Sequence, residues 1–254
     1  MTFTFLGTGT SQGVPIIGCT CEVCQSTDKK DKRLRVSGLL RIEGKTLVID
    51  CGPDFRQQML REEVTDVDAI LITHEHNDHI IGLDDVRPIN FLHKKDMPVY
   101  ADERVQKELK ERFSYIFAEN KYPGVPMVNL ETIKAGEKFT IKGTEILPIQ
   151  VMHGNLPILG FRIANFAYLT DIKSISDTEI EKLQDLDVVV LSALHHKEHH
   201  SHSTLAQSIE LAKRINAKHT YFIHFSHHLG LHEEIEKTLA QSMSLAYDGL
   251  VVEI

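Results

Sequence analysis

The densest chemistry in the 254-residue sequence is the run His74-Glu75-His76-Asn77-Asp78-His79, which places four metal-ligating side chains within six residues, directly after the apolar stretch Ala69–Thr73. In an extended backbone, residues two apart point the same way, so His74 and His76 aim at one centre. If the chain then turns towards a helix, Asp78 and His79 swing to a second point nearby, and Gly82 leaves room for that turn. Neutral imidazole and carboxylate suit zinc and, with more oxygen, manganese or iron. Two such ions about 3.5–4 Å apart clamp and activate one water. The plainer alternative, a solvated His-rich loop, fits a pair of histidines better than four ligands in a row after a strand. The chain carries 15 histidines, and others gather between His195 and His202 and at His224, His227 and His228.

A second cluster, Cys19, Cys21 and Cys24, has spacing that no cytosolic disulfide scheme explains. Three thiolates so close suggest a tetrahedral structural zinc lacking one ligand. Cys51 is the chemical default for the fourth position and a histidine of the carboxy-terminal cluster is the other candidate; as a lone cysteine beside a strand, Cys51 is equally well read as a small buried apolar residue. Gly7-Thr8-Gly9-Thr10-Ser11-Gln12-Gly13-Val14-Pro15 has the glycines of a tight loop but neither the Lys-Ser/Thr of a phosphate-binding loop nor a helix after it, so it reads as a structural turn.

The elements that must position these groups are short. After an opening strand at Thr2–Leu6, β-branched runs at Thr46–Asp50, Ala69–Thr73, Pro98–Ala101, Glu145–Val151, Phe166–Asp171, Val188–Ala193 and Thr220–Phe225 read as strands. Helical spacing runs through Glu103–Phe113, Ser176–Leu183, Thr204–Ile215 and Leu231–Met243. Ser176 with Glu179, and Thr204 with Gln207, have the spacing of capping boxes. Residues 120–126 read as a surface loop, so one domain over residues 1–254 is expected, with two sheets covered by helices.

Composition narrows the function classes. With 28 basic and 36 acidic residues the formal net charge is -8, and no Lys/Arg-rich block offers a footprint for a polyanion, so nucleic acid is not expected as the principal substrate. No apolar run is long enough to span a bilayer and the chain opens on a strand-like segment, so a cytoplasmic location without membrane contact is expected. Small anions remain compatible, because a pair of divalent cations makes a pocket locally electropositive.

The His74–His79 run resembles the HxHxDH signature of the metallo-β-lactamase superfamily. That resemblance implies an α+β fold, a four-layer αββα sandwich, and a ligand set completed by a later His, a bridging Asp and a last His at strand ends. His153, Asp171 and His224 match by type and position, although alone His153 is an ordinary loop histidine and Asp171 an ordinary cap. The resemblance implies one metal on His74, His76 and His153, a second on Asp78, His79 and His224, and Asp171 bridging both, with two divalent ions, Zn or Mn. Together with the Gly7–Pro15 loop, Cys19/Cys21/Cys24, Asp50-Cys51-Gly52-Pro53 and His224-Phe225-Ser226-His227, it is similar essentially end to end to the cyclic-phosphate phosphodiesterase family of phosphonate degradation. That likeness implies hydrolysis of a small phosphodiester, one structural zinc on Cys19, Cys21, Cys24 and His227, and a homodimer, although no exposed apolar helix demands one. It best matches His202 as general acid, with Asp78 as the other catalytic residue.

Asp50 reads as a group orienting a ligand histidine. Arg87 could contact a phosphate, but pairing with Asp84 or Asp85 is the ordinary expectation. His195, His196, His199 and His200 are given no role. A tRNA 3′-end endonuclease shares the fold and ligands but usually carries a basic arm that is not seen here. A thioester, lactone or β-lactam hydrolase leaves the cysteines unexplained, and an intact ligand set argues against a non-catalytic metal binder.

Overall fold

The computed structural model describes residues 1–254. Fourteen strands form two seven-stranded sheets. The first, in the order β14-β1-β2-β3-β4-β5-β6, is built from Thr2–Gly7 (β1), Ser37–Ile42 (β2), Lys45–Ile49 (β3), Ala69–Leu71 (β4), Met97–Ala101 (β5), Val128–Thr132 (β6) and Val251–Glu253 (β14). The second, β13-β12-β11-β10-β9-β8-β7, takes Phe139–Ile141 (β7), Thr144–His153 (β8), Leu156–Ile163 (β9), Phe166–Leu169 (β10), Val188–Ser192 (β11), His219–Ile223 (β12) and Met243–Leu245 (β13).

Strand alternation assigns the layers. Leu47 and Ile49 of β3, Phe166 and Tyr168 of β10, and Val188 and Val190 of β11 face the other sheet and meet Phe3, Phe5 and Phe161. Val48 faces outward, with Ile70, onto Phe55, Met59, Val105 and Leu109. Leu169, Val189 and Leu191 face outward onto Ile180, Leu211 and Ile215. Three apolar layers therefore separate four structural layers, the αββα sandwich expected from the sequence.

Nine helices complete the chain: Glu22–Gln25 (α1), Phe55–Arg61 (α2), Asn77–Ile80 (α3), Arg87–His93 (α4), Glu103–Arg112 (α5), Ser114–Phe117 (α6), Asp177–Glu181 (α7), Leu205–Ile215 (α8) and His232–Glu236 (α9). Thr204 caps α8 with the full reciprocal box to Gln207. Ser176 caps α7 in one direction only, because the Glu179 carboxylate is taken by Lys182 at 2.5 Å and the Gln150 amide at 3.2 Å. The helix expected over Leu231–Met243 stops at Glu236. There the Glu236 carboxylate accepts the Leu245 amide at 2.6 Å and the Thr238 hydroxyl donates to the Ile235 carbonyl at 2.7 Å, so the chain folds back and Met243 opens β13. Helix α4 leaves Phe91 and Leu92 exposed, an apolar pair the sequence reading did not single out. No helix is long and apolar enough to cross a membrane.

Strands β3 and β4 run parallel, as do β10, β11 and β12, so their carboxy-terminal ends gather at one edge of each sheet. All the chemistry lies there.

Candidate metal centre

The His74–His79 run leaves the end of β4 in extended backbone, with His76 at φ -64°, ψ 147°, and then winds into α3. His74 and His76 therefore precede the helical turn while Asp78 and His79 lie on it. Gly52 and Gly82 permit this: a Cβ on Gly52 would lie 1.9 Å from the Asp78 carbonyl oxygen, and one on Gly82 would lie 2.1 Å from the Gly52 carbonyl oxygen. The Cys51 amide donates to the His79 carbonyl at 2.7 Å and stitches the two loops together. From the outside, Arg104 pairs with Glu75 at 3.3 Å and Arg112 bonds Asn77, so α5 braces the two residues of the run that face away.

Three further groups stand just past strands β3, β10 and β12 in the left-handed backbone region that non-glycine residues rarely occupy: Asp50 (φ 62°), Asp171 (φ 52°) and His224 (φ 61°). Each costs on the order of 1 kcal/mol, and such strain persists where the surrounding structure fixes it. It turns each side chain out of the strand direction and towards the cluster. The last of the set, His153, ends β8 at the tight turn into β9.

The result is one connected cluster. Ligand atoms of His74, His76, His153 and Asp171 all lie within 4.8 Å of one another, as do those of Asp78, His79 and His224. Asp171 stands between the two groups: its oxygens are 3.8 Å from His74 Nε2, 3.6 Å from His79 Nε2 and 3.1 Å from His224 Nε2. Two ligands about 2.1 Å from one tetrahedral ion would be about 3.4 Å apart, so these separations fit a shared cation. Nε2 of both His79 and His224 is buried without a hydrogen-bond partner.

Electrostatics point the same way. Burial pushes His79 down, yet Asp78, Asp50 and Asp171 together hold it well above the ordinary imidazole value. Burial pushes Asp171 up, yet His224 and His79 hold it well below the carboxylate range. Burial and the neighbouring His79 drive His74 well below its usual value, so its ring stays neutral. Crowded carboxylates that borrow positive charge from an imidazole mark a place where a cation fits.

The second nitrogen of His74, His79 and His153 is tied down, whereas His224 Nδ1 is buried without a partner. His79 Nδ1 donates to Asp50 Oδ2 at 2.7 Å, and His74 Nδ1 lies 3.0 Å from Thr73 Oγ1, whose hydroxyl donates to the same Asp50 oxygen at 2.8 Å. The Thr73 amide reaches Asp50 Oδ1 at 2.8 Å. One buried carboxylate thus sets the tautomer of a histidine in each group. Asp50 thus holds the His79 ring directly and the His74 ring through Thr73, whose hydroxyl directly before the run was the available signal in the sequence. His153 Nδ1 donates to the Ser201 carbonyl at 2.9 Å.

His202 lies beside the cluster, its ring 4.8 Å from His224 and 4.4 Å from His153. Burial, with His224 next, pushes it down to about 2, so here it is a neutral ring rather than the near-neutral titrating group its type suggests. Arg87 pairs with Asp84 at 2.6 Å, the ordinary alternative.

Cys19, Cys21 and Cys24 stand 3.3, 3.2 and 3.5 Å from His227 Nδ1. A tetrahedral zinc with thiolates at about 2.3 Å and imidazole at about 2.0 Å needs roughly 3.5 Å between those atoms. The Cys24 amide lowers the Cys21 thiol to about 6, while burial pushes Cys24 up to about 11. Cys51 lies in the core against the Ile80 carbonyl, raised by burial, and takes no part in this cluster. The Gly7–Pro15 loop acts as a structural turn: the Phe225 amide donates to the Thr8 carbonyl at 3.1 Å and Thr10 returns the bond at 3.2 Å, clamping the residue after His224.

A family model described as the beta-lactamase superfamily domain matches residues 45–225, the stretch that runs from β3 to just past His224. The chain belongs to that superfamily. Among solved structures, a member of the superfamily's fold described as a new diphosphatase from the PhnP family is 45% identical, with TM-score 0.93, covering 100% of this chain and 96% of its own. An octanoyltransferase of Porphyromonas gingivalis is 43% identical over 247 residues, 96% of this chain but 50% of that protein. A ribonuclease Z of Methanopyrus kandleri is 26% identical over 128 residues, 49% of this chain and 42% of that protein. The chain thus spans about half the length, or less, of these curated relatives.

Proposed function

We propose that this superfamily member is a metal-dependent phosphodiesterase acting on a small, cyclic phosphodiester. His74, His76 and His153 would hold one divalent ion, Zn or Mn, and Asp78, His79 and His224 a second, with Asp171 touching both. The observation that carries this is the position of Asp171, within reach of imidazole nitrogens from both groups. Such a pair supplies an acidified water and neutralises charge on phosphoryl oxygens. The chain's own residues do the rest: Asp50 and Thr73 fix the ring orientations, Asp171 and Asp78 balance charge, and His202, as a neutral ring, donates an N–H hydrogen bond that stabilises charge on the leaving oxygen. Cys19, Cys21, Cys24 and His227 would hold a separate zinc that ties the amino-terminal loop beside His224. Four free thiols fit a reducing, cytoplasmic setting.

The phosphodiester reading draws support from the 45% identity to the diphosphatase over all of this chain and 96% of that one, which also makes a phosphoanhydride a second reading for the same centre. Octanoyl transfer is not carried over, because half of that relative lies outside the match. The test is a metal-reconstituted screen of bis(p-nitrophenyl) phosphate, a 2′,3′-cyclic nucleotide, a ribosyl cyclic phosphate, a dinucleoside diphosphate, a thioester and precursor tRNA. Preference for a cyclic phosphate is expected; preference for the thioester or the tRNA overturns the assignment.

A further inference from the structure

Neither ring nitrogen of His224 makes a hydrogen bond, and Asp171 stands 3.1 Å from its Nε2. The His202 ring stacked at 4.8 Å limits the tilt of the imidazole without bonding it. Yet the backbone of His224 sits at φ 61°, a conformation that costs on the order of 1 kcal/mol and persists only where the surroundings impose it. Asp50 and Asp171, in the same backbone region, are held by bonds that their carboxylates accept from Thr73 and Thr170. His224 has no such bond, so what fixes it must act through the chain beside it.

That neighbour is Phe225, which is buried, and the Arg33 guanidinium covers the face of its ring 4.6 Å from the centroid. Arg33 lies in the stretch between α1 and β2 and is itself buried. Its Nη1 donates to Thr8 Oγ1 at 2.7 Å and to the Ala246 carbonyl at 2.8 Å, and its Nη2 donates to His232 Nδ1 at 3.1 Å. Asp248 and Asp31 balance the charge, Asp248 through the Thr8 hydroxyl, which donates to it at 2.8 Å. The Thr8 carbonyl in turn accepts the Phe225 amide at 3.1 Å. One planar cation therefore touches both the ring of Phe225 and the residue that holds its backbone.

We propose that Arg33 is a positioning residue for His224: by pressing Phe225 against the Thr8 clamp, it imposes the left-handed backbone that turns the imidazole towards Asp171. The inference rests on the metal-centre reading only in that His224 would hold an ion. A buried cation is a costly way to fill a core, and an aliphatic side chain of similar volume packs without that cost. What the aliphatic chain cannot supply is a rigid fork reaching Thr8, Ala246 and His232 at once while lying flat on Phe225.

Arg33→Lys keeps the charge that balances Asp248 and Asp31 but loses the fork and the flat face. Phe225→Leu removes the ring and strands no charge, and it carries the test if Arg33→Lys does not fold. Zinc-loaded crystals of each, soaked in graded chelator, give the occupancy of every ion from its anomalous peak. Both variants should lose the ion against Asp78, His79 and His224 at about tenfold lower chelator than the wild type, the low end of the cost of releasing a ligand from its orienting group. The ions against His74, His76 and His153 and among the cysteines should hold, because Ser226, between Phe225 and His227, is pinned separately by its amide to the Leu194 carbonyl at 3.0 Å. In solution, the Cα and Cβ chemical shifts of His224 in metal-free protein should mark a left-handed residue in the wild type and an averaged one in the variants. Equal loss of all three ions, unchanged occupancies, or left-handed shifts retained in both variants overturns the proposal. If the wild type takes no zinc beside Asp171, the metal-centre reading fails, while the His224 shifts still decide the role of Arg33.

Discussion

Replacing Asp50 with Asn probes the relay beneath the proposed metal centre. The native carboxylate is fully buried and accepts three hydrogen bonds: Thr73 N and Thr73 Oγ1 at 2.8 Å each, and His79 Nδ1 at 2.7 Å. An amide can keep only one oxygen. If that oxygen faces His79, the NH2 group meets the Thr73 N–H, donor against donor. If the amide turns over, His79 must accept at Nδ1 and carry its proton on Nε2, the atom aimed at Asp171 3.6 Å away. Either way at least one bond to a charged group is lost, roughly 1.5–3 kcal/mol, and a buried donor is left unpaired at roughly 1–3 kcal/mol more. Losing the tautomer of a ligand histidine typically costs about ten- to a hundredfold in metal affinity. Chelator competition against metal-loaded protein, with metal content by mass spectrometry, should show a drop of that size for Asp50→Asn. Thr73→Val should weaken the metal with His74 more than the one with His79, and Thr73→Ser should restore it. An Asp50→Asn protein with unaltered metal affinity and thermal midpoint refutes the relay.

Three further outcomes follow from the same geometry. His202→Ala should lose turnover by about a hundredfold or more while keeping its full metal content; loss of metal would make His202 a ligand, a role its proximity to Asp171 and His224 permits. Cys19→Ser should remove one zinc per chain and lower stability by about 3 kcal/mol if the site is filled near a hundred times its Kd, or roughly 6–12 °C in thermal midpoint; unchanged zinc stoichiometry contradicts the Cys19–His227 cluster. His232 is held at about 4 by burial and then by Arg33, 3.1 Å from its Nδ1. Its folded value lies below the unfolded one, so the folded state binds fewer protons. Stability is therefore lost as pH falls from about 6.5 towards 4, by on the order of 3 kcal/mol. Urea unfolding should show a shallower acid slope for His232→Gln, and an identical slope would discount this histidine.

The layers and ligands were legible in the sequence for different reasons. Strands β3, β4, β10, β11 and β12 are largely apolar runs because both their faces are mostly buried, and the histidine–aspartate run follows one of them directly. Strand β9 was missed, although Gly154-Asn155 is a hairpin turn signal and Gly154 indeed has φ 60°. Its Leu-Pro-Ile-Leu-Gly-Phe-Arg-Ile sequence lacks clean alternation and carries a proline. Strand β2 contains Gly38, whose missing Cβ lets the Phe3 ring approach to 2.3 Å of where it would stand. That contact comes from the other strand and leaves no local signal. The overlong helix at Leu231–Met243 has the opposite cause: apolar spacing continues to Leu239, but side-chain bonds from Glu236 and Thr238 end the helix first. At the centre, residue types gave the ligand candidates, whereas the left-handed backbone of Asp50, Asp171 and His224 and the Thr73 link arise only in three dimensions.

The most direct test of the account is diffraction from crystals of zinc-loaded protein, measured on both sides of the zinc absorption edge. Three anomalous peaks per chain are expected, two of them flanking Asp171 with one against His74, His76 and His153 and the other against Asp78, His79 and His224, and the third among Cys19, Cys21, Cys24 and His227. Peaks confined to surface histidines, with none beside Asp171, would contradict it.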